Sequence, residues 1–104
     1  MAVDVFGVLA EPTRRRVLDR LRLSESSVGE LARTLDVSQP TMSKHLRVLR
    51  EAGFVSSRIV AQQRIYRIEA RQFRALDDWL APYRLLWNTH LDALERHLDN
   101  QEDR

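Results

Sequence analysis

The chain has 104 residues, room for one domain with a modest core. It has no cysteine, which excludes disulfides and thiolate metal sites, and no apolar run long enough to span a membrane and no signal-peptide pattern. The net charge of +2 hides an asymmetry: residues 1–68 carry net +5 and residues 69–104 net −3, which suits a module that lays its front on a polyanion. Arginine outnumbers lysine 16 to 1, so genome composition also bears on this split, and the asymmetry is supporting evidence only.

Val3, Phe6, Val8 and Leu9 predict a short first helix, weakened by Gly7. Glu11-Pro12-Thr13 breaks it and starts a second, whose core stripe is Val17, Leu18 and Leu21, with Leu23 a further candidate. Arg14, Arg15 and Arg16 fall in the first turn of that helix, against the preference of its dipole. Two readings stand for them: a nearby anion such as phosphate, or a solvated charged face. Ser24-Glu25-Ser26 is a loop. Ser27-Val28-Gly29-Glu30 has capping-box spacing and starts a third helix with Leu31, Ala32 and Leu35 inside. Asp36-Val37-Ser38 is then a tight turn.

The helix that follows organises the chain. Ser38 is its N-cap, Pro40 sits just inside its start, and Gly53 lies just past its end. Met42, Leu46 and Leu49 share one buried face. Gln39, Thr41, Ser43, Lys44 and Arg47 remain outside, a polar and cationic set suited to base edges and phosphates. The same pattern fits an ordinary amphipathic surface helix, and the flanking sequence decides between the two. Two short helices joined by a tight turn make a helix-turn-helix.

After Gly53 the periodicity changes. Residues 54–61 and 64–68 read as two strands of a hairpin, turning at Ala61-Gln62-Gln63 without the usual Gly or Asn-Gly signal. Arg58, Gln62, Gln63, Arg64 and Arg67 make it polar and cationic, either a wing that reaches DNA or a solvated tip. From Glu69 onward Phe73, Leu76, Leu80, Tyr83, Trp87, Leu91, Leu94 and Leu98 recur at three- and four-residue steps. Pro82 lies inside this pattern, so the helix is expected to kink or split near Ala81. A small winged helix needs no second long apolar stripe for its own core. The surplus, with Trp79, predicts a homodimer seam, since aromatics are common interface anchors. Residues 100–104 are polar and expected to fray.

The expected fold is mainly α, a winged helix-turn-helix with a small β-hairpin in α-α-α-α-β-β-α order, as one domain over residues 1–104. Residues 70–99 and the N-terminal helix form the expected dimerisation region. The blocks Leu9-Ala10-Glu11-Pro12-Thr13-Arg14-Arg15, Ser38 to Leu49 and Ala52-Gly53-Phe54-Val55 resemble the ArsR/SmtB-like winged-helix repressors over nearly the whole chain. Trp79-Leu80-Ala81-Pro82-Tyr83 and Trp87 before Leu91 to Glu95 resemble the branch without the thiolate sensor site. The resemblance implies a dimeric, cytoplasmic bacterial repressor with its C-terminal helix in the dimer seam.

The expected DNA-contacting residues are Ser38, Gln39, Thr41, Ser43, Lys44, His45, Arg47, Arg58, Gln63 and Arg64, with double-stranded operator DNA as partner. His45 reads as either structural or DNA-proximal. The expected seam holds Val3, Phe6, Trp79, Tyr83, Trp87, Leu91, Leu94 and Leu98. No cofactor and no metal are expected. His90 and His97 share a face but lie two turns, roughly 10 Å, apart, too far to hold one ion within one chain. Antiparallel pairing of two subunits, with Asp92 or Asp99 close by, leaves an intersubunit site open. An enzyme is not expected: there is no cysteine nucleophile, no Ser-His-Asp grouping and no glycine-rich phosphate loop. The alternative function is a winged-helix module that binds protein, which loss of the cationic wing would favour.

Overall fold

Three helix starts fall where a side chain accepts from a free first-turn amide. In the computed structural model, which describes residues 4–102, the order is α1 (Val5–Ala10), α2 (Pro12–Leu23), β1 (Ser26–Ser27), α3 (Val28–Leu35), α4 (Gln39–Glu51), β2 (Val55–Val60), β3 (Gln63–Ile68) and α5 (Ala70–Glu102). Val3 lies outside the described residues. Glu11 Oε1 accepts from Thr13 N at 3.0 Å and caps α2, with Pro12 in its first turn. Ser27 Oγ accepts from Glu30 N at 3.2 Å and caps α3.

The ends of α3 and α4 close alike. Asp36 takes the left-handed conformation (φ 54°), with Asp36 N donating to Arg33 O and Val37 N to Ala32 O. Gly53 does the same after α4 (φ 84°), with Gly53 N donating to Arg50 O and Phe54 N to Leu49 O. Both are Schellman closures, which satisfy the last carbonyls of a helix.

The described chain divides after Phe73 into two units. In the first, α2, α3 and α4 pack on one another and α2 also meets β3. Val17, Leu31, Met42, Leu46, Leu49 and Phe54 are fully buried at its centre. Leu23, a candidate core residue, is 70% exposed. It sits two residues beyond Leu21, which turns it to the far side of the helix. The second unit begins at Arg74 and holds the rest of α5, to Glu102. This helix continues through Pro82, so the chain does not split there.

The sheet has three strands rather than two, in the order β1-β3-β2. Ser26 pairs with Tyr66 and Ser27 with Ile65, so Ser26 belongs to a strand and is buried, not in the expected loop. The wing turns at Ala61-Gln62 alone, and Gln63 already belongs to β3. Both turn residues have positive φ (49° and 68°), the geometry of a two-residue hairpin turn whose twist matches its strands.

The arginine run at the start of α2 has a third explanation, which neither expected reading held. Arg14 Nε donates to Val8 O at 2.9 Å, and Arg15 Nη1 donates to Leu9 O at 2.7 Å and Ala10 O at 3.1 Å. Arg16 Nη2 donates to Leu35 O at 3.1 Å. These are last-turn carbonyls of α1 and α3. The cations answer the negative ends of two other helices rather than opposing the positive end of their own.

Candidate nucleic-acid interface

Helix α4 is fixed along one side by Met42, Leu46 and Leu49, each 0% exposed. Its start is set by Ser38, whose Oγ accepts from Thr41 N at 3.3 Å and donates to Thr41 Oγ1 at 2.9 Å. The Ser38 and Thr41 hydroxyls are thereby engaged in shaping the first turn. On the outward side Gln39, Ser43, Lys44 and Arg47 are exposed. Gln39, Ser43 and Arg47 form one ridge at i, i+4 and i+8. Arg47 pairs with Glu51 at 3.1 Å, both side chains mostly exposed, a contact worth little in water. Gln39, Ser43 and Lys44 have no hydrogen-bond or ion-pair partner among the described residues, so their polar groups are open to a ligand. No acidic residue occupies the first turn, which leaves the positive end of the helix uncompensated.

His45 is half-buried and close enough to the carboxylate of Glu11 for its charge to act there. The Glu11 carboxyl is held below the usual range first by the Thr13 backbone N–H it accepts, and more weakly by the Thr13 side chain, His45 and Arg14. His45 therefore stands where α4 crosses the start of α2.

The wing register separates two residues that the sequence reading grouped. Ile59 pairs with Arg64 and Arg58 with Ile65, so the two arginines lie on opposite faces of the hairpin. Arg64 shares its face with Ser57, to whose Oγ it donates at 3.1 Å, and with buried Tyr66. Arg58 lies on the other face and bonds Glu25 at 2.6 Å. The two are not brought together.

A groove of about 360 Å³ joins the parts that are. Gln39 from α4, Arg33 from α3, and Gln62, Gln63 and Arg64 from the wing all line it. Arg33 and Gln62 were not among the expected contacts. Only the packing of α3 beside α4 brings Arg33 to the groove, and no local pattern announces that.

The Arg58–Glu25 pair gives a pH-dependent expectation. The Glu25 carboxyl is held below the usual carboxylate range, first by the hydrogen bond from Arg58, then by the Arg58 and Arg67 charges. A folded-state pKa below the unfolded one means that the stabilisation is present above the ordinary carboxylate range. It is lost as pH falls through the folded value. Both groups are exposed, so the contribution is small. In a carboxyl-detected NMR titration, Arg58→Gln is expected to return Glu25 to its ordinary value. An unchanged titration would show that the pair does not form in solution.

Among the described residues no group of three or more His, Asp or Glu side chains could hold a metal ion, and no helix is long and apolar enough to cross a membrane.

A capped helix with an open polar face, set beside a cationic hairpin, defines a winged helix-turn-helix DNA-binding protein. A family model described as a helix-turn-helix domain matches residues 9–58. The chain is 36% identical to the HTH-type transcriptional regulator Rv2034 of Mycobacterium tuberculosis, over 94% of this chain and 89% of that one. It is 50% identical to the Biofilm growth-associated repressor of Agrobacterium fabrum, over 62% of this chain and 55% of the relative. Among solved structures it resembles an ArsR family transcriptional regulator, with a TM-score of 0.70 and 37% identity over 80% of this chain and 86% of that one. The chain belongs to the ArsR/SmtB family of winged-helix transcriptional regulators. It is a regulator that binds DNA, not an enzyme.

Proposed function

We propose that this regulator is a cytoplasmic homodimeric repressor that sets two copies of α4 into successive major grooves of an imperfect palindrome. The observation that carries it is the unpartnered polar ridge of α4, Gln39 and Ser43 with Lys44 beside them, whose first residue, Gln39, lines one groove with Arg64 of the wing. In this reading Gln39, Ser43 and Lys44 meet base edges and nearby phosphates, and Arg47 and Gln63 flank them. Ser38, Thr41 and His45 hold the helix in place, and Arg64 meets the backbone. Arg58 joins in only by leaving Glu25. Repression is supported by the names of relatives such as the Agrobacterium fabrum repressor and the Transcriptional repressor SdpR of Bacillus subtilis. A further relative is the Transcriptional activator HlyU of Vibrio cholerae.

The dimer reading is supported by α5. Trp79, Tyr83, Trp87, Leu91, Leu94 and Leu98 are each half or more exposed in the single chain, as is Phe6 of α1. An apolar surface of this extent is uncommon on a soluble monomer. Residues 70–99 with the N-terminal helix form the dimerisation region in this reading.

Footprinting on the DNA around its own coding region would supply the operator. Fluorescence anisotropy on specific and scrambled duplexes then tests the surface. Replacing Gln39 or Ser43 by alanine should cost about 1–3 kcal/mol of discrimination for a well-formed base contact. Arg64→Ala should weaken both duplexes alike and flatten the salt dependence. Equal affinity for specific and scrambled DNA in every variant would instead favour a module that binds protein.

A further inference from the structure

Arg64 also lines a second and larger groove, about 600 Å³, between the end of α4, the base of the wing and the start of α5. Three arginines from three separate elements line it: Arg50 from the last turn of α4, Arg64 from β3 and Arg71 from the first turn of α5. The Ser57 hydroxyl, which accepts from Arg64 and keeps its own proton, adds a donor. Glu69 supplies the carboxylate of the lining, and it is already engaged. It accepts from Ser56 Oγ at 2.5 Å and from Arg67 Nε at 3.3 Å. Arg71 senses the Glu69 charge but forms no ion pair, and Arg50 has no partner among the described residues. Arg64 gives one N–H to Ser57 and keeps the others.

Backbone geometry keeps the groove open. A Cβ on Gly53 would come within 3.0 Å of Arg71 Nη2. Glycine there serves the left-handed turn after α4 and also leaves the Arg71 guanidinium its place. Guanidinium forks match the geometry of phosphoryl oxygens, and several of them converging with one spent carboxylate form a site for a doubly charged oxyanion.

We propose that the groove lined by Arg50, Arg64 and Arg71 is a phosphoryl-binding site, separate from the base-reading ridge of α4. Its phosphoryl group comes either from the backbone of bound DNA or from a soluble phosphorylated molecule. The DNA source rests on the reading of α4 given above; the soluble source does not.

Two measurements on the full chain test this, using R50Q, R71Q, the double variant, R71K, and R22Q as an exposed arginine outside the groove. Pyrophosphate is titrated calorimetrically at low ionic strength. The slope of operator affinity against salt is measured in parallel, with circular dichroism to confirm folding. Wild type and R22Q are expected to behave alike, and R71K, which keeps the charge but loses the fork, to fall between wild type and R71Q. Loss of pyrophosphate affinity by roughly tenfold or more in the double variant supports the site. If the salt slope also falls, by about one for each arginine removed, the DNA backbone is the source. An unchanged slope assigns the site to a soluble phosphorylated molecule, and a reduced slope without pyrophosphate binding assigns it to DNA alone. Pyrophosphate binding and salt slope both unaffected by the double substitution would overturn the proposal. A wild-type protein that ignores DNA would refute the α4 reading instead, and the pyrophosphate arm would still decide the groove.

Discussion

Phe54→Ala is expected to lower the unfolding free energy by about 3–5 kcal/mol, the range for emptying an aromatic site in a packed core. Phe54 is 0% exposed, and its ring meets Phe73 edge-on at 5.2 Å and 71°. Its backbone works as well. Phe54 N donates to Leu49 O at 2.9 Å, closing α4, and Phe54 O accepts from Glu69 N at 2.9 Å, beside the start of α5. One residue thus ties the end of α4, the base of the wing and the first turn of α5 to one another. The alanine variant keeps the backbone bonds and removes the ring, so the loss is that of packing. Native domains are stable by about 5–15 kcal/mol in all, so the variant should be marginal at room temperature. Urea unfolding followed by circular dichroism reads the change, with Phe54→Leu as a milder partner that keeps most of the volume. A loss below about 1 kcal/mol would be out of line with a filled, rigid site.

The parts of this fold that were legible are those specified by neighbours in sequence. Ser38 and Gly53 bracket α4 because a cap needs only a hydroxyl and a left-handed residue at fixed offsets. Ser27 and Glu11 act in the same local way. Strand β1 was not legible. Two serines carry no alternation, and what makes them a strand is pairing with Tyr66 and Ile65, about forty residues on. The partners of Arg14, Arg15 and Arg16 were hidden for a related reason: carbonyls at the ends of α1 and α3 come within reach only once the helices pack.

The wing shows how little separates a right reading from a wrong one. A turn through Ala61-Gln62-Gln63 would set Val60 opposite Arg64 and put Arg58 and Arg64 on one face. The turn uses Ala61 and Gln62 only, and this single residue sends them to opposite faces. No Asn-Gly marked the turn, so its length could not be read. The outward ridge of α4 was legible from helical periodicity alone. Arg33, which joins it at the groove, was not, because its position depends on tertiary packing.

The second large effect concerns α5, on which simultaneous engagement of two half-sites depends in the dimer proposed above. Trp87, Leu91, Leu94 and Leu98 follow steps of four, three and four, so they form one stripe, and each is 50–62% exposed in the single chain. If a second subunit covers the stripe, burying each large apolar side chain contributes about 1.5–3 kcal/mol. A two-fold seam repeats every change, so Leu91→Glu removes that contribution twice and also sets two carboxylates against the apolar stripe. The dimer dissociation constant should therefore rise by about two to four orders of magnitude, at 1.4 kcal/mol for each tenfold. Leu85→Glu is the control. Leu85 is 70% exposed and lies on the opposite side of the same helix, where a carboxylate should leave the dimer intact. Sedimentation reads the mass, circular dichroism the helix content, and anisotropy the affinity for the operator. The expected Leu91→Glu protein is a folded monomer that binds the operator far more weakly, because the second half-site is lost while Gln39, Ser43 and Lys44 are untouched. If Leu91→Glu stays dimeric and binds normally, the seam lies elsewhere, and Phe6 of α1, 52% exposed, is the next place to set the charge.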